Sequence, residues 1–434
     1  MPISHARVAA FEILLRIEST DAYASELLHS ARVAKLSPAD HGLLTEIVMG
    51  VLRWRSVLDQ NIAQYSSQSM GKLDLEVLTT LRIGTYQLVF LNRIPQHAAI
   101  NESVELAKRA RKRSAAGFVN AVLRKMAKQQ PRPTSFDPQS AHPRWLAERW
   151  TRHYGSKAAQ AICAYDQSTP PPTVHIRDSV VVEELRQEGI ELESGAFLSH
   201  SFTVRGGEIA RTKAFRERRI AIQDEASQLI AMLAGHGRSI LDCCSAPGGK
   251  TRILAQNNPK ANVIALELHP RRARLLRKLV PDANVRVISA DVRAAPLAQD
   301  FERVLVDAPC SGTGTLARNP EIKWRLKPED LGRLQVSQVE ILTAAMTRVG
   351  LGGRLVYSTC SLEPEENEQV VERALENDAS FAVVDCRGAL EKLAITGELS
   401  WKSFDSVLSG NYLRTIPGVH PCDGFFAAIL EKRA

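Results

Sequence analysis

The sequence predicts a multidomain chain: an all-α front, a small α+β module, and an α/β domain built on a parallel, doubly wound sheet. Three observations predict it. Apolar residues recur at helical spacing from the start to about residue 130. The stretch from Pro131 to Ser140, rich in Pro, Ser and Asp, reads as a linker. From about residue 223, short apolar strand runs alternate with helical stretches, the pattern of parallel strands joined by crossover helices.

Taken in order, the front (residues 1–135) carries helical stripes at Val8, Phe11, Leu14 and Ile17, at Leu44, Ile47, Val48 and Val51, and at Leu78, Leu81, Leu88 and Val89. Pro38-Ala39-Asp40 marks a helix start, Arg93-Ile94-Pro95 an end, and Gly117 to Arg124 a further amphipathic turn. The module (141–222) opens on helices around Trp145, Leu146 and Trp150 and over Ser156 to Tyr165. An alternating strand follows at Thr173 to Arg177. In the last domain (223–434) strands are expected at Ile240-Leu241, Val263–Leu266, Val285–Ile288, Val304–Val306 and Leu355–Tyr357, with helices over 269–279 and 328–349.

Composition narrows the function classes. At 44% hydrophobic and 24% charged residues the chain buries real cores and is not disordered. No apolar stretch approaches the ~18 residues of a membrane span, and Met1 to Ala10 lacks a signal-peptide core. Seven cysteines, an odd number without zinc-site spacing or any CxxC, lead us to expect reduced thiols in a cytoplasm and no metal. The net charge of +8 is uneven: residues 1–140 hold 18 Lys and Arg against 12 Asp and Glu, and the remainder 38 against 36. A basic front joined to a nearly neutral remainder fits a polyanion-binding module. Its densest run, Lys108 to Arg113, is either a solvated helix face or a set of phosphate contacts; its five charges in six residues favour phosphates.

The chemistry collects at strand ends. Cys310 and Cys360 each follow a hydrophobic run that reads as a buried strand, and ligands of open α/β sheets bind beyond the carboxyl ends of strands. Either thiol alone reads equally well as core packing. Two delivered together, one near Asp307, point to covalent catalysis with a second proton-handling group. The run Asp242 to Thr251 opens a helix after the first strand. It is no complete phosphate loop, because Cys244 stands where the first glycine is needed, and GxGxxG is absent. What it offers is a tight glycine turn whose amides approach a ligand closely. Glu267, Asp291 and Asp307 stand at the ends of successive strands, placed to serve ribose hydroxyls, an adenine amino group and a polar reactant.

These motifs, Asp242 to Thr251, Asp307-Ala308-Pro309-Cys310-Ser311-Gly312 and Thr359-Cys360-Ser361 followed by Pro364-Glu365-Glu366-Asn367, resemble the RNA 5-methylcytosine methyltransferases of the Nol1/Nop2/Sun family. The ending, Arg414 to His420 and Asp423 to Phe426, is similar too, and the likeness covers about residues 220–434. The front resembles the RNA-binding fold of the antitermination factor NusB, and that pairing is the layout of bacterial small-subunit rRNA cytosine methyltransferases. The resemblance implies a NusB-like domain and a Rossmann-like class I methyltransferase domain. It implies S-adenosyl-L-methionine held by Cys244, Ser245, Ala246, Pro247, Gly248, Gly249, Lys250, Glu267, Asp291 and Asp307. Cys360 is then the nucleophile on cytosine carbon 6 and Cys310 the group that assists product release. Asp307 bonds the ring edge through a shifted or shared proton.

The family's cofactor loop has one cysteine followed by two alanines; here Cys243-Cys244-Ser245 departs from it, with Cys243 expected to pack inward. The implied partner is 16S rRNA, free or in a partly assembled small subunit, met by a cytoplasmic monomer without membrane contact. Transfer RNA, or a non-catalytic assembly role, are the rivals. Arg318 to Pro320 and Lys323 to Arg325 are candidates for holding RNA backbone and stacking a base, with Trp324 equally readable as core.

Overall fold

The computed structural model describes residues 3–129, 136–297, 300–376 and 378–433. They form two compact units: one of residues 1–169 with 316–325, the other of 170–315 with 326–434. The linker residues 131–135 lie outside the described part.

The first unit is all-helical, as expected. Helices span His5–Ser19, Ala24–Leu28, Pro38–Arg53, Arg55–Tyr65, Leu75–Phe90, Gln96–Arg109, Ala116–Gln129 and Arg144–Asp166. Pro38 sits in the first turn of its helix, where its missing N–H is no loss, and the Ser37 hydroxyl accepts from the Asp40 amide at 3.2 Å. The helix Leu75–Phe90 is buried on nearly every face, which is why its apolar pattern has no polar stripe. Gly50 permits its close approach: a Cβ there would fall 1.9 Å from the Tyr86 ring. The last helix, expected as two, is broken at Gly155, whose φ of 80° is open to glycine. By its contacts it groups with this unit.

Residues 316–325 also pack here. Lys323 Nζ donates to the Arg53 carbonyl at 2.9 Å, Trp324 Nε1 to that of Leu52 at 2.6 Å, and Arg325 to that of Ile17 at 3.0 Å. Arg53 returns a bond to the Ala317 carbonyl at 3.0 Å, and Glu321 accepts from the Ala24 amide at 2.8 Å. This corrects the expectation of RNA contacts for Lys323 to Arg325. Lys323 is 1% exposed, and each of the three side chains donates to a carbonyl within the protein.

In the second unit β1 (Thr173–His175), β2 (Glu191–Ser194), β3 (Ser201–Gly206) and β4 (Ala221–Ile222) pair antiparallel in the order β2-β3-β1-β4, with a helix over Ser179–Gln187. The large sheet follows: β5 (Ser239–Asp242), β6 (Asn262–Glu267), β7 (Val285–Ser289), β8 (Phe301–Asp307), β9 (Val349–Thr359), β10 (Phe381–Val384), β11 (Leu408–Ser409), β12 (Tyr412–Arg414) and β13 (Phe426–Lys432). Its order is β11-β12-β13-β9-β8-β5-β6-β7, with β10 also on β13. The five expected strands, β5 to β9, are parallel. Beyond these strands β13 runs antiparallel to β9, so the sheet is mixed.

Alternate residues of each strand feed two cores. Ile240, Leu305, Val356 and Ile429 pack on one face against the helices Glu225–Leu233, Gly249–Asn257 and Cys386–Ile395. Leu241, Val304, Tyr357 and Leu430 pack on the other against Pro328–Met346 and Glu368–Glu376. This period of two, with cover on both faces, leaves only the strand ends open to a ligand.

Candidate active site

At the end of β5 the buried Asp242 organises the turn into the next helix. Its Oδ2 accepts from the Thr251 hydroxyl at 2.7 Å, and its backbone carbonyl from the Ser245 hydroxyl at 2.8 Å. The Ser245 amide reaches across to the Leu266 carbonyl at 2.9 Å, so the serine that departs from the family pattern is absorbed by the loop. Gly248 adopts φ 117°, and a Cβ there would lie 2.5 Å from Val280. A cavity of about 520 Å3 opens beside this turn, lined by Asp242, Cys244 to Lys250 and Asp307, and by Gln223 and Phe215 from the preceding segment. The Asp242 Oδ1 atom on that wall is buried without a hydrogen-bond partner, and burial pushes the carboxyl up to about 6.

The strand-end carboxylates converge on Cys244. Burial first, then the charges of Asp242, Asp307, Glu267 and Asp291, drive its thiol well above the ordinary range. They are not equivalent. Glu267 accepts from the His269 amide at 2.9 Å. Asp291 is gripped by Arg293 at 2.7 Å, which holds its carboxyl below the usual range. Asp307 takes Lys250 at 2.7 Å on one oxygen and the Ser358 hydroxyl at 2.9 Å on the other. Lys250 also lies over the Phe425 ring, 4.9 Å from its centroid. Asp242 and Asp307 border the cavity, whereas Glu267 and Asp291 stand outside its lining. Cys243 points away into the core, as expected.

Beyond β8 and β9 the two expected cysteines meet. Cys310 Sγ and Cys360 Sγ are 3.4 Å apart, and both are half-buried. The hydrogen bond to Cys360, burial, and the charges of Glu366 and Asp307 all raise the Cys310 thiol well above the ordinary range. It therefore keeps its proton. Gly314, in the loop after Cys310, donates its amide to the Cys360 carbonyl at 2.9 Å. The buried Glu366 lies under both loops, bonded to Ser311, Ser361 and Gln338. Glu366 stands in the quoted motif with no expected part; its burial among serine hydroxyls is what reveals it.

The model described as 16S rRNA methyltransferase RsmB/F matches residues 230–431, the NusB family matches 4–128, and an RsmF/B-like ferredoxin-like domain matches 142–207. A Bacillus subtilis protein named "Probable ribosomal RNA small subunit methyltransferase B" is 32% identical over the whole of both chains. The chain belongs to the RsmB/F methyltransferase family. A Pseudomonas putida member, named ribosomal RNA small subunit methyltransferase B, is 34% identical over 85% of this chain and 88% of its own. The crystal structure of PH0851 covers both chains fully with a TM-score of 0.81 at 23% identity, a likeness of fold. A methyltransferase homologue from Pyrococcus horikoshii covers 67% of this chain and 95% of its own, at 26% identity and a TM-score of 0.55. The NusB-like front, the small α+β module and the Rossmann-like methyltransferase fold expected from the sequence are all present, the module being ferredoxin-like.

Proposed function

We propose that the protein transfers a methyl group from S-adenosyl-L-methionine to carbon 5 of a cytosine in 16S rRNA, through a covalent bond between Cys360 and carbon 6. The observation that carries this reading is the pair of thiols 3.4 Å apart, delivered by adjacent strands beside Asp307. Carbon 5 of cytosine is a poor nucleophile; thiolate addition at carbon 6 makes it enamine-like, dividing one hard step into easier ones. The likeness of Thr359-Cys360-Ser361 to the family's motif gives the nucleophile role to Cys360. The names of the relatives support small-subunit rRNA as the substrate.

The fit of the cofactor rests on chain features. Asp242 Oδ1 is a buried acceptor that wants a cationic donor, and Gly248 lets backbone amides approach where a side chain would collide. Cys244 to Lys250 and Asp307 would hold it, with Glu267 and Asp291 at its far end. When bound, it supplies the electrophilic methyl group. Lys250 and Ser358 fix the Asp307 carboxylate, which holds the ring edge that gains electron density.

Release then falls to Cys310. Once Cys360 is bonded to carbon 6, the first cause of the raised Cys310 thiol, its hydrogen bond to Cys360, is gone. Cys310 then gives its thiol proton to solvent and, as thiolate, takes the proton from carbon 5. That C–H electron pair forms the carbon 5–carbon 6 double bond, the carbon 6–sulfur bond breaks, and Cys360 leaves as thiolate. We assign residues 1–135 and 141–222 to RNA binding and 223–434 to catalysis. Incubation of the protein with 16S rRNA, tRNA and the methyl donor, read by bisulfite sequencing, tests the assignment. One protected cytosine in 16S rRNA is expected; methylation of tRNA alone, or of neither, overturns it.

A further inference from the structure

The two cysteine loops are joined beneath the site by one buried carboxylate. Glu366, 0% exposed, accepts from the Ser311 backbone amide at 2.8 Å and from the Ser311 hydroxyl. It accepts also from the Ser361 hydroxyl at 2.5 Å and from Gln338 Nε2 at 2.9 Å. Ser311 is the neighbour of Cys310, and Ser361 the neighbour of Cys360. The two hydroxyls are themselves 3.0 Å apart, and Gln338 ties the cluster to the Pro309 carbonyl at 2.9 Å. The backbone of Glu366 is fixed as well, its carbonyl accepting from the Tyr357 hydroxyl at 2.7 Å. A carboxylate is the residue type this position needs: neighbouring donors converge on one pair of oxygens, which no neutral side chain matches.

We propose that Glu366 is a positioning residue for product release: through Ser311 and Ser361 it holds Cys310 against the carbon 5 proton of the Cys360-bound cytosine. This rests on the covalent two-cysteine reading above. It assigns Glu366 no contact with the substrate. Its weight falls on the last step, because attack by Cys360 does not use Cys310, whereas elimination requires a base placed to about an ångström. The charge contributes too. Cys310 faces Cys360, Glu366, Tyr357 and Asp307, the last carrying its Lys250 partner. Among these Glu366 is one of the charges that keep the thiol protonated before attack.

Glu366→Gln tests this in the full-length protein with 16S rRNA. The amide is isosteric but turns one acceptor oxygen into a donor, so the Ser311 and Ser361 hydroxyls lose the oxygen they donate to. We expect kcat to fall about ten- to a hundredfold, the scale of a misplaced proton acceptor, with the KM of RNA and of methyl donor unchanged. A protein–RNA adduct stable on denaturing gels should build up during turnover, and the pH limb of kcat should move to lower pH as the negative charge goes. A purely structural role lowers the melting temperature without moving that limb. A wild-type limb and adduct lifetime in folded Glu366→Gln overturn the inference. Should that variant not fold, the Ser311→Ala/Ser361→Ala pair removes both hydroxyl ties; wild-type adduct lifetime there overturns it equally. Cys310→Ala is the control. No adduct in that control overturns the covalent reading and this inference together, while an adduct there with wild-type behaviour of Glu366→Gln overturns this inference alone.

Discussion

At the scale of single residues, two thiols 3.4 Å apart acquire different roles only from what surrounds them. Cys310→Ala should still form the bond at carbon 6 and transfer the methyl group, then stall as an adduct that survives a denaturing gel. Cys360→Ala and the double variant should give no such band; an adduct in Cys360→Ala alone reverses the roles. Asp242 makes a second prediction. Its carboxyl is pushed up to about 6 by burial from an ordinary 3.8, so the folded state holds a proton that the unfolded chain has released. The stability this contributes is present in full below pH 3.8 and is lost as pH rises through about 6. Asp242→Asn should remove that loss, worth about 3 kcal/mol at pH 7 for a shift of about two units. The same variant should bind S-adenosyl-L-methionine more weakly, because the negative charge that faces its cationic groups is gone. Denaturation at pH 4 and pH 7, with calorimetry of the cofactor, checks both halves; a pH-independent difference between variant and wild type refutes the first.

Element by element, legibility follows how local the cause is. The ends of β5, β6 and β8 were readable because a short apolar run stopped at a chemically distinctive residue, Asp242, Glu267 or Asp307. The antiparallel placement of β13 was not, since strand direction is fixed by pairing and leaves no mark in an apolar run such as Phe426–Leu430. Glu366 was hidden for the same reason: its exposed and buried forms have one spelling. Within 316–325, Lys323 to Arg325 were open to an RNA reading, with Trp324 equally readable as core, and packing is what they do. Lysine, tryptophan and arginine in succession imitate a nucleic-acid contact, yet here they spend their donors on helix carbonyls. Trp324→Phe should therefore cost about 1 kcal/mol of stability by leaving the Leu52 carbonyl without its indole donor. RNA affinity should not change. A loss of affinity at constant melting temperature would restore the stacking role.

For the whole molecule, the question is where RNA meets the basic front. Removing the front is a poor test, because residues 316–325 are bonded to it through Arg53, Leu52, Ile17 and Ala24. Substitution of its surface is cleaner. In the run Lys108 to Arg113 the side chains of Lys108, Arg109, Arg111 and Arg113 are exposed, while Lys112 is paired with Asp74 at 2.8 Å. Lys108 lies 2.6 Å from Glu105 and Arg109 3.9 Å from Glu12, but such exposed pairs are weak and give way to phosphate. Each phosphate neutralised releases counterions, lowering log K against log salt by about 0.7 to 0.9 per contact. Replacing Lys108, Arg109, Arg111 and Arg113 by alanine should therefore flatten that slope by up to about 3 if all four reach phosphates. The melting temperature should hold, since no buried group is touched. So should kcat at saturating RNA, because the thiols, Asp307 and Glu366 lie in the other compact unit. The change then appears in KM, larger at low salt. An unaltered slope would mean that the run is a solvated helix face and that the front engages RNA elsewhere.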